Sequence, residues 1–363
     1  MDVIDTRWGI SSSADPAGRK RARTARDILL HATESHAGHY RGVVDEFPAQ
    51  IRHIAGYHIG WWDLEGAPRR DTGKSVRPAL VFACHRSLRS GTAGSTDSPL
   101  AVAAATSVEL VHDFSLLHDD IMDRSRVRRH RTTAWTHFGI PKAVLTGDMM
   151  LSAAFSVLTS PETLPTNRMR TALSDSVYKL CAGQALDMTF ETEPVVSLDQ
   201  ALQMVHGKTA SLIACACELG AITAGASPEL SAQAHDFGLH VGMAFQLVDD
   251  LLGIWGDPSV TGKPVGADLA ARKKSLPVVA AMATKSRAAR HLIEMYANPT
   301  EPADSDVADV ADLVDEAGGR VWAEERIQLE LSQAHQCLKG MAAPSEHTSE
   351  LFSLVGFLTD RAA

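Results

Sequence analysis

The chain has 363 residues, 45% of them hydrophobic and 22% charged, which suits one large globular domain or two small ones. Its net charge of −9 and pI near 6.0 exclude a general nucleic-acid binder, because there is no excess of basic charge to release counterions from a phosphate backbone. Only 6% of residues are aromatic, while Ala, Leu, Val and Met recur at helical spacing, so the sequence predicts an all-α protein without strand alternation.

Cys84, Cys181, Cys215, Cys217 and Cys337 are scattered through apolar helix patterns without metal-ligand spacing. That usage favours reduced core thiols in a cytoplasmic protein. No signal-peptide core stands near the basic N-terminal residues, and no run of about 18 uninterrupted apolar residues occurs, so no membrane span is expected.

In chain order, residues 1–22 combine Ser-Ser-Ser, Pro16, Gly18 and a basic cluster, and read as a mobile tail ahead of a domain spanning 23–363. A helix is expected from near Thr24, and another from near Ser75 after a region broken by Pro48, Gly56 and Gly60. After the loop at 90–99, an alanine-rich helix runs from Leu100 to about Asp123. Helical patterns follow at 141–159, 167–191, 198–206, 207–225 and 229–254. The segment 259–277 is too rich in Gly, Pro and Lys for a core and reads as a basic flap. Helices are then expected at 277–296, 307–317, 319–340 and 347–360.

The richest stretch is LLHDDIMDRSRVRRHR at 116–131, which sets Asp119, Asp120 and Asp123 one turn ahead of a run of arginines. Positions four apart share a helix face, so Asp119 and Asp123 can grip the same magnesium ions. Asp249 and Asp250 close another apolar helix in FQLVDDLLGIWGD, with Asp257 just beyond. One acidic cluster alone reads as a solvated face or a cap. Two of them beside arginines describe a metal-bridged diphosphate site.

Further short motifs complete an ordered set: GKSVRP at 73–78, ELVHDFSLLHDDIMD at 109–123, RRHRTT at 128–133, GD at 147–148, GQALD at 183–187, GKT at 207–209, FQLVDD at 245–250 and TGKPVGADLAARKKSLP at 261–277. With them the chain resembles the trans-polyprenyl diphosphate synthases, in particular the short-chain geranylgeranyl and farnesyl diphosphate synthases. The resemblance covers about residues 30–360 and implies the isoprenoid synthase helical bundle around a deep apolar pocket, a homodimer, and Mg2+ as cofactor, three ions per site.

The implied reaction joins isopentenyl diphosphate to an allylic diphosphate. Departing charge on the allylic diphosphate is neutralised by Mg2+ held between Asp119 and Asp123 on one side and Asp249, with Asp250, on the other. By the same resemblance, Arg128, Lys208 and Lys273 bind the allylic diphosphate, supported by Lys263, Thr209 and Gln246. Lys74, Arg77, His112 and Arg129 match the isopentenyl diphosphate site, and Asp187 faces the same cavity. The released diphosphate is the expected proton acceptor. Three positions depart from the family pattern: Ser75 where Arg is frequent, Gly253 where a third Asp is common, and His130 where Gly is frequent.

Product length follows from what stands below Asp119 on its helix. Phe114, five residues earlier and about 7.5 Å down the axis, and Ser115, four earlier, resemble the pattern of C20 producers, so geranylgeranyl diphosphate is the expected main product. A farnesyl or longer-chain product remains the alternative, with Phe114 as ordinary core packing. Two other classes stay open: a terpene cyclase, which has no use for a second diphosphate site, and a non-catalytic partner subunit, which would not need the intact Asp119, Asp120 and Asp123.

Overall fold

The computed structural model describes residues 23–69, 73–89, 97–159, 167–258, 264–297, 304–341 and 346–359. The basic N-terminal tail and Lys263 lie outside the described residues. The chain folds as α1 (Ala25–Asp45), α2 (Ala49–Ile59), α3 (Val76–Leu88) and α4 (Pro99–Met122), then a two-stranded ribbon of β1 (Val127–Arg128) and β2 (Arg131–Thr132). After it come α5 (Ala134–Phe138), α6 (Ile140–Val157), α7 (Asn167–Thr192), α8 (Leu198–Val205), a π-helical turn (His206–Ala210), α9 (Ser211–Thr223) and α10 (Pro228–Trp255). The chain closes with α11 (Ala267–Ala270), α12 (Leu276–Met282), α13 (Arg287–Ala297), α14 (Asp304–Glu316), α15 (Gly319–Met341) and α16 (Glu346–Thr359).

Local chemistry sets most of these boundaries. Thr24 and Asp27 form a reciprocal capping box that starts α1, and Ser197 with Gln200 does the same for α8. Ser98 and Ser227 cap α4 and α10, each followed by a proline whose missing N–H costs nothing at that position. The helix expected over 277–296 is instead two. The Ser286 hydroxyl accepts from the Ala289 N–H at 3.0 Å, so a new N-terminus outcompetes continuation of the helix through Thr284.

Packing centres on α4, α9 and α10: α10 lies between α9 and α15, while α4 packs on α6, α3 and α9. The apolar stretches of α4 and α10 are long enough to span a bilayer, yet 78% of the first and 61% of the second lie buried, as core helices require. A second core joins the end of α10 to the flap, α12, α13 and α14 through Ile254, Leu269, Val278 and Leu292. A third, around Leu117 and Ala143, holds the acidic end of α4 against α2 and α6. Cys84, Cys215 and Cys217 are core thiols as expected, whereas Cys181 is exposed on α7, on a face the helical pattern had not separated from the core.

The ribbon is the one element of other type among the described residues. Val127 pairs with Thr132 and Arg128 with Arg131, leaving Arg129 and His130 as a two-residue turn. Both turn residues are left-handed, at φ 49° and 59°, the conformation a tight hairpin demands. Glycine is the residue that adopts it without strain, which accounts for the Gly that the family pattern has at 130.

Candidate active site

Asp119 and Asp123 sit at the C-terminal end of α4, where the Asp123 N–H caps the helix on the Asp119 carbonyl at 2.8 Å. Burial pushes Asp119 up to about 6, against the pull of Lys208, with Asp123 adding to the rise. Asp123 is raised by burial too, and by Asp187. Asp120 points away from this pair: its Oδ1 accepts from Arg128 Nε at 2.8 Å, and the carboxylate is only 1% exposed. It therefore holds the ribbon arginine in place.

Lys208 and Thr209 ride on the π turn. Lys208 Nζ lies 2.5 Å from Asp187 Oδ2 on α7, which gives Asp187 a definite job within the cavity. Thr209 donates to Gln246 Oε1 at 2.7 Å, and Gln246 donates in turn to Asp250 Oδ1 at 2.8 Å. The other oxygen of Asp250 accepts the Leu276 N–H at 2.9 Å. Both carboxylate oxygens of Asp250 are thus engaged in fixing the helices, and Asp249, exposed beside it, is the free acidic group of α10. Burial pushes Asp250 up to about 6, opposed chiefly by Lys273. The Lys273 ammonium is itself held above its ordinary range by Asp250, Asp268 and Asp249, which outweigh the opposing effect of burial. Lys273 acts on Asp123 of the first cluster and on Asp250 of the second, and Asp187 acts on Asp119, Asp123 and Lys273, so the two acidic clusters flank one set of cations.

Of the residues read as the isopentenyl diphosphate site, Arg77, His112 and Arg129 lie near one another. A Cβ placed on Gly73 would lie 3.2 Å from an Nη atom of Arg129, so the GKSVRP loop and the ribbon turn meet. Lys74 is exposed, its ammonium 5.4 Å from the centre of the Phe357 ring on α16. Burial, then Arg77 and Arg129, drive His112 well below its usual range, leaving a neutral ring with one N–H to donate. Ser75, left-handed at φ 49°, is buried at the entry to α3.

Behind this set stand groups that the motif reading passed over. Tyr40 donates to Asp113 Oδ2 at 2.5 Å, and burial with the neighbouring Glu109 pushes Asp113 up to about 7. Arg77 and Arg129 pull on both acids. A cavity of ≈ 240 Å³ borders these groups and is lined by Trp61, Gly73 and Arg129 as well. Glu109 and Asp113 lay within ELVHDFSLLHDDIMD, yet only their depth beneath the arginines reveals them as counter-charges. His58 of α2 donates from Nε2 to the Asp113 carbonyl at 3.0 Å; burial, reinforced by Arg128, takes the ring down to about 3, so it is neutral.

Phe114 is buried, edge-on to His118 at 4.8 Å between ring centres. Ser115 donates to the His112 carbonyl at 2.8 Å. Cys181, exposed on α7, lies within reach of the acidic end of α4: partial desolvation raises its thiol and the Asp119 carboxylate adds to the effect.

Asp119, Asp123 and Asp249 supply hard oxygen donors, and the mutual repulsion of Asp119, Asp123 and Asp187 is a surplus a divalent cation would relieve. Among the described residues no three potential ligands converge on one point. That fits magnesium, which takes one or two carboxylates and completes its shell with water and phosphate oxygens.

An all-α bundle with two carboxylate clusters and cations interleaved between them is the arrangement of the helical isoprenoid synthase class. Residues 69–315 match the polyprenyl synthetase family, and the chain belongs to it. It is 39% identical to the (2E,6E)-farnesyl diphosphate synthase of Mycobacterium tuberculosis, over 100% of both chains. To the geranylgeranyl diphosphate synthase of the same organism it is 44% identical, over 76% of this chain and 79% of the relative. Its fold matches the geranylgeranyl pyrophosphate synthase from Corynebacterium glutamicum, crystallised with isoprenyl diphosphate and magnesium, at a TM-score of 0.72 and 28% identity, over 93% and 97% of the two chains. The protein is accordingly an enzyme of the trans-prenyl diphosphate synthase kind.

Proposed function

We propose that this enzyme condenses isopentenyl diphosphate with allylic diphosphates and that its main product is geranylgeranyl diphosphate. The observation that carries the reaction is a repeated pairing. Each described cation assigned to the allylic diphosphate is backed by a carboxylate: Arg128 by Asp120 at 2.8 Å, Lys208 by Asp187 at 2.5 Å and Lys273 by Asp268 at 3.6 Å. Side chains held this way lose little freedom when an anion arrives, so the binding energy goes to the developing charge.

Asp119, Asp123 and Asp249 would hold the Mg2+ ions, three when both substrates are bound. Bound Mg2+ supplies Lewis-acid neutralisation of the leaving diphosphate. Arg128 offers a planar fork, and Lys208 and Lys273 offer point charges to the same group. Lys74, Arg77 and Arg129, with the neutral His112 as a single donor, orient isopentenyl diphosphate so that its double bond faces the cation. The released diphosphate takes up the proton lost after attack. Thr209 and Gln246 act on the site by tying the π turn to Asp250.

The C20 product rests on a single aromatic, Phe114, with the small Ser115 beside it, below Asp119. A C15 product has its own support. His118 contacts the Val144 carbonyl at 3.1 Å and lies against Gly147, so Phe114 packs on a fixed ring and makes a firm stop. The test is incubation with Mg2+, isopentenyl diphosphate and each allylic diphosphate, followed by chain-length analysis of the dephosphorylated products. A C20 alcohol from the parent, lengthened by Phe114→Ala, supports this reading. A C15 end product, or a length unmoved by Phe114→Ala, overturns the assigned floor.

The working unit is read as a cytoplasmic homodimer of one domain from 23 to 363. The exposed Ile140 and Leu145 of α6, 49% and 58% accessible, support association through that helix. Sedimentation as a monomer would refute it.

A further inference from the structure

We infer that the cavity of ≈ 240 Å³ bordered by Arg129 binds a small organic cation, an ammonium or amidinium on a flat apolar body, with the Glu109 carboxylate as its counter-charge. Its effect on isopentenyl diphosphate, argued below, rests on the prenyl-transfer reading above. Glu109 Oε2 is buried and has no hydrogen-bond partner, on a residue that is 8% exposed and lines the cavity. A buried charged acceptor left unpaired is costly, so it marks a place for a donor.

The rest of the lining fixes what that donor must be. Thr33 already donates its hydroxyl proton to the Leu29 carbonyl at 2.9 Å, and Tyr40 donates its own to Asp113. His36 donates from Nδ1 to the Ala32 carbonyl at 2.6 Å, and burial lowers the ring, which leaves Nε2 able only to accept. Arg41 is held by Asp45 at 3.1 Å. The cavity therefore offers acceptors to an incoming group, with Arg129 the remaining cation on its border. Its apolar wall is made by Ala37, Ile59 and Trp61. The Trp61 ring already carries the Arg41 guanidinium 4.8 Å from its centre, so this wall suits a flat cation.

Lys74, Arg77 and His112 do not line this cavity, so it shares only Arg129 with the set read as binding isopentenyl diphosphate. Glu109 and Asp113 both act on Arg77 and Arg129. A cation against Glu109 takes over part of that attraction and adds its own field. The two arginines then hold a diphosphate more strongly, and by linkage the diphosphate holds the cation more strongly.

The test uses benzylammonium as the probe, titrated by calorimetry into the full chain, with benzyl alcohol as its uncharged match. Benzylammonium should bind about tenfold more tightly than the alcohol, and Glu109→Gln should remove that difference. Ala37→Phe, on the exposed face of α1, fills the cavity without touching the acids and should abolish binding of both. Saturating isopentenyl diphosphate should tighten benzylammonium by about fivefold in the parent. Equal binding of ammonium and alcohol, or parental affinity in Glu109→Gln or Ala37→Phe, would overturn the cation site whatever the enzyme catalyses. Competition between benzylammonium and isopentenyl diphosphate would overturn it as well, by making the cavity part of the diphosphate site. If the parent takes up benzylammonium but no isopentenyl diphosphate, the prenyl-transfer reading and the coupling fall while the cation site stands.

Discussion

Gly183 of α7 and Gly207 of the π turn pack backbone against backbone: a Cβ on Gly183 would lie 2.2 Å from the Lys208 nitrogen, and one on Gly207 would lie 2.6 Å from the Lys179 carbonyl. The glycines of GQALD and GKT are thus one contact, and it sets the distance between Asp187 and Lys208. Gly183→Ala should destabilise the fold by ~1–3 kcal/mol through overpacking. It should also lower kcat/KM by about 100-fold, the penalty of a displacement near 1 Å at a reacting group. Urea unfolding and steady-state kinetics check the two effects separately.

Asp120 is read as the anchor of Arg128, without direct contact to metal. Asp120→Asn removes the charge but keeps the shape, so the bond to Arg128 drops to an ordinary one. KM for the allylic diphosphate should rise about tenfold, the equivalent of ~1.5 kcal/mol for a hydrogen bond to a charged group. The Mg2+ concentration for half-maximal rate should stay near that of the parent. A large shift in that concentration would instead make Asp120 a ligand.

The raised acids predict a pH dependence with a definite sign. Burial lifts Asp119 and Asp250 to about 6, well above an exposed carboxylate, so below that pH both carry protons in the metal-free protein. For each group, the folded state binds the proton more tightly than the unfolded state. Its stabilising contribution is full below about pH 4 and lost as pH rises through about 6. Mg2+ needs the ionised form and acts in the opposite direction. The rise in melting temperature on adding Mg2+ and pyrophosphate should therefore be larger at pH 8 than at pH 5.5. An equal rise at both would show that Asp119 does not meet the metal.

His130 is exposed and left-handed at φ 59°. His130→Gly should stabilise the protein by ~0.5–1 kcal/mol, because relief of left-handed strain exceeds the entropy glycine adds to the unfolded chain. Chemical denaturation with unchanged KM for isopentenyl diphosphate is the expected result.

Much of the bundle was legible because it rests on local signals. Thr24, Ser98 and Ser227 start helices where capping residues precede apolar periodicity, and α4, α7 and α10 fall close to their expected bounds. The break at Ser286 was hidden because apolar spacing continues across it. The ribbon at 127–132 was hidden because its turn uses Arg129 and His130 in place of the glycine or asparagine that announces such turns. Within the site, residue types could be read from the motifs, but partnership could not. That Asp120 gives one oxygen to Arg128, and Asp250 its two oxygens to Gln246 and Leu276, depends on side-chain orientation that residue spacing does not show.

The ring of Phe357 beneath the Lys74 ammonium brings the last described helix onto a lysine proposed to bind isopentenyl diphosphate. A truncation ahead of Phe357 would therefore strip the aromatic support from Lys74 and should weaken binding of isopentenyl diphosphate while leaving the acidic clusters in place.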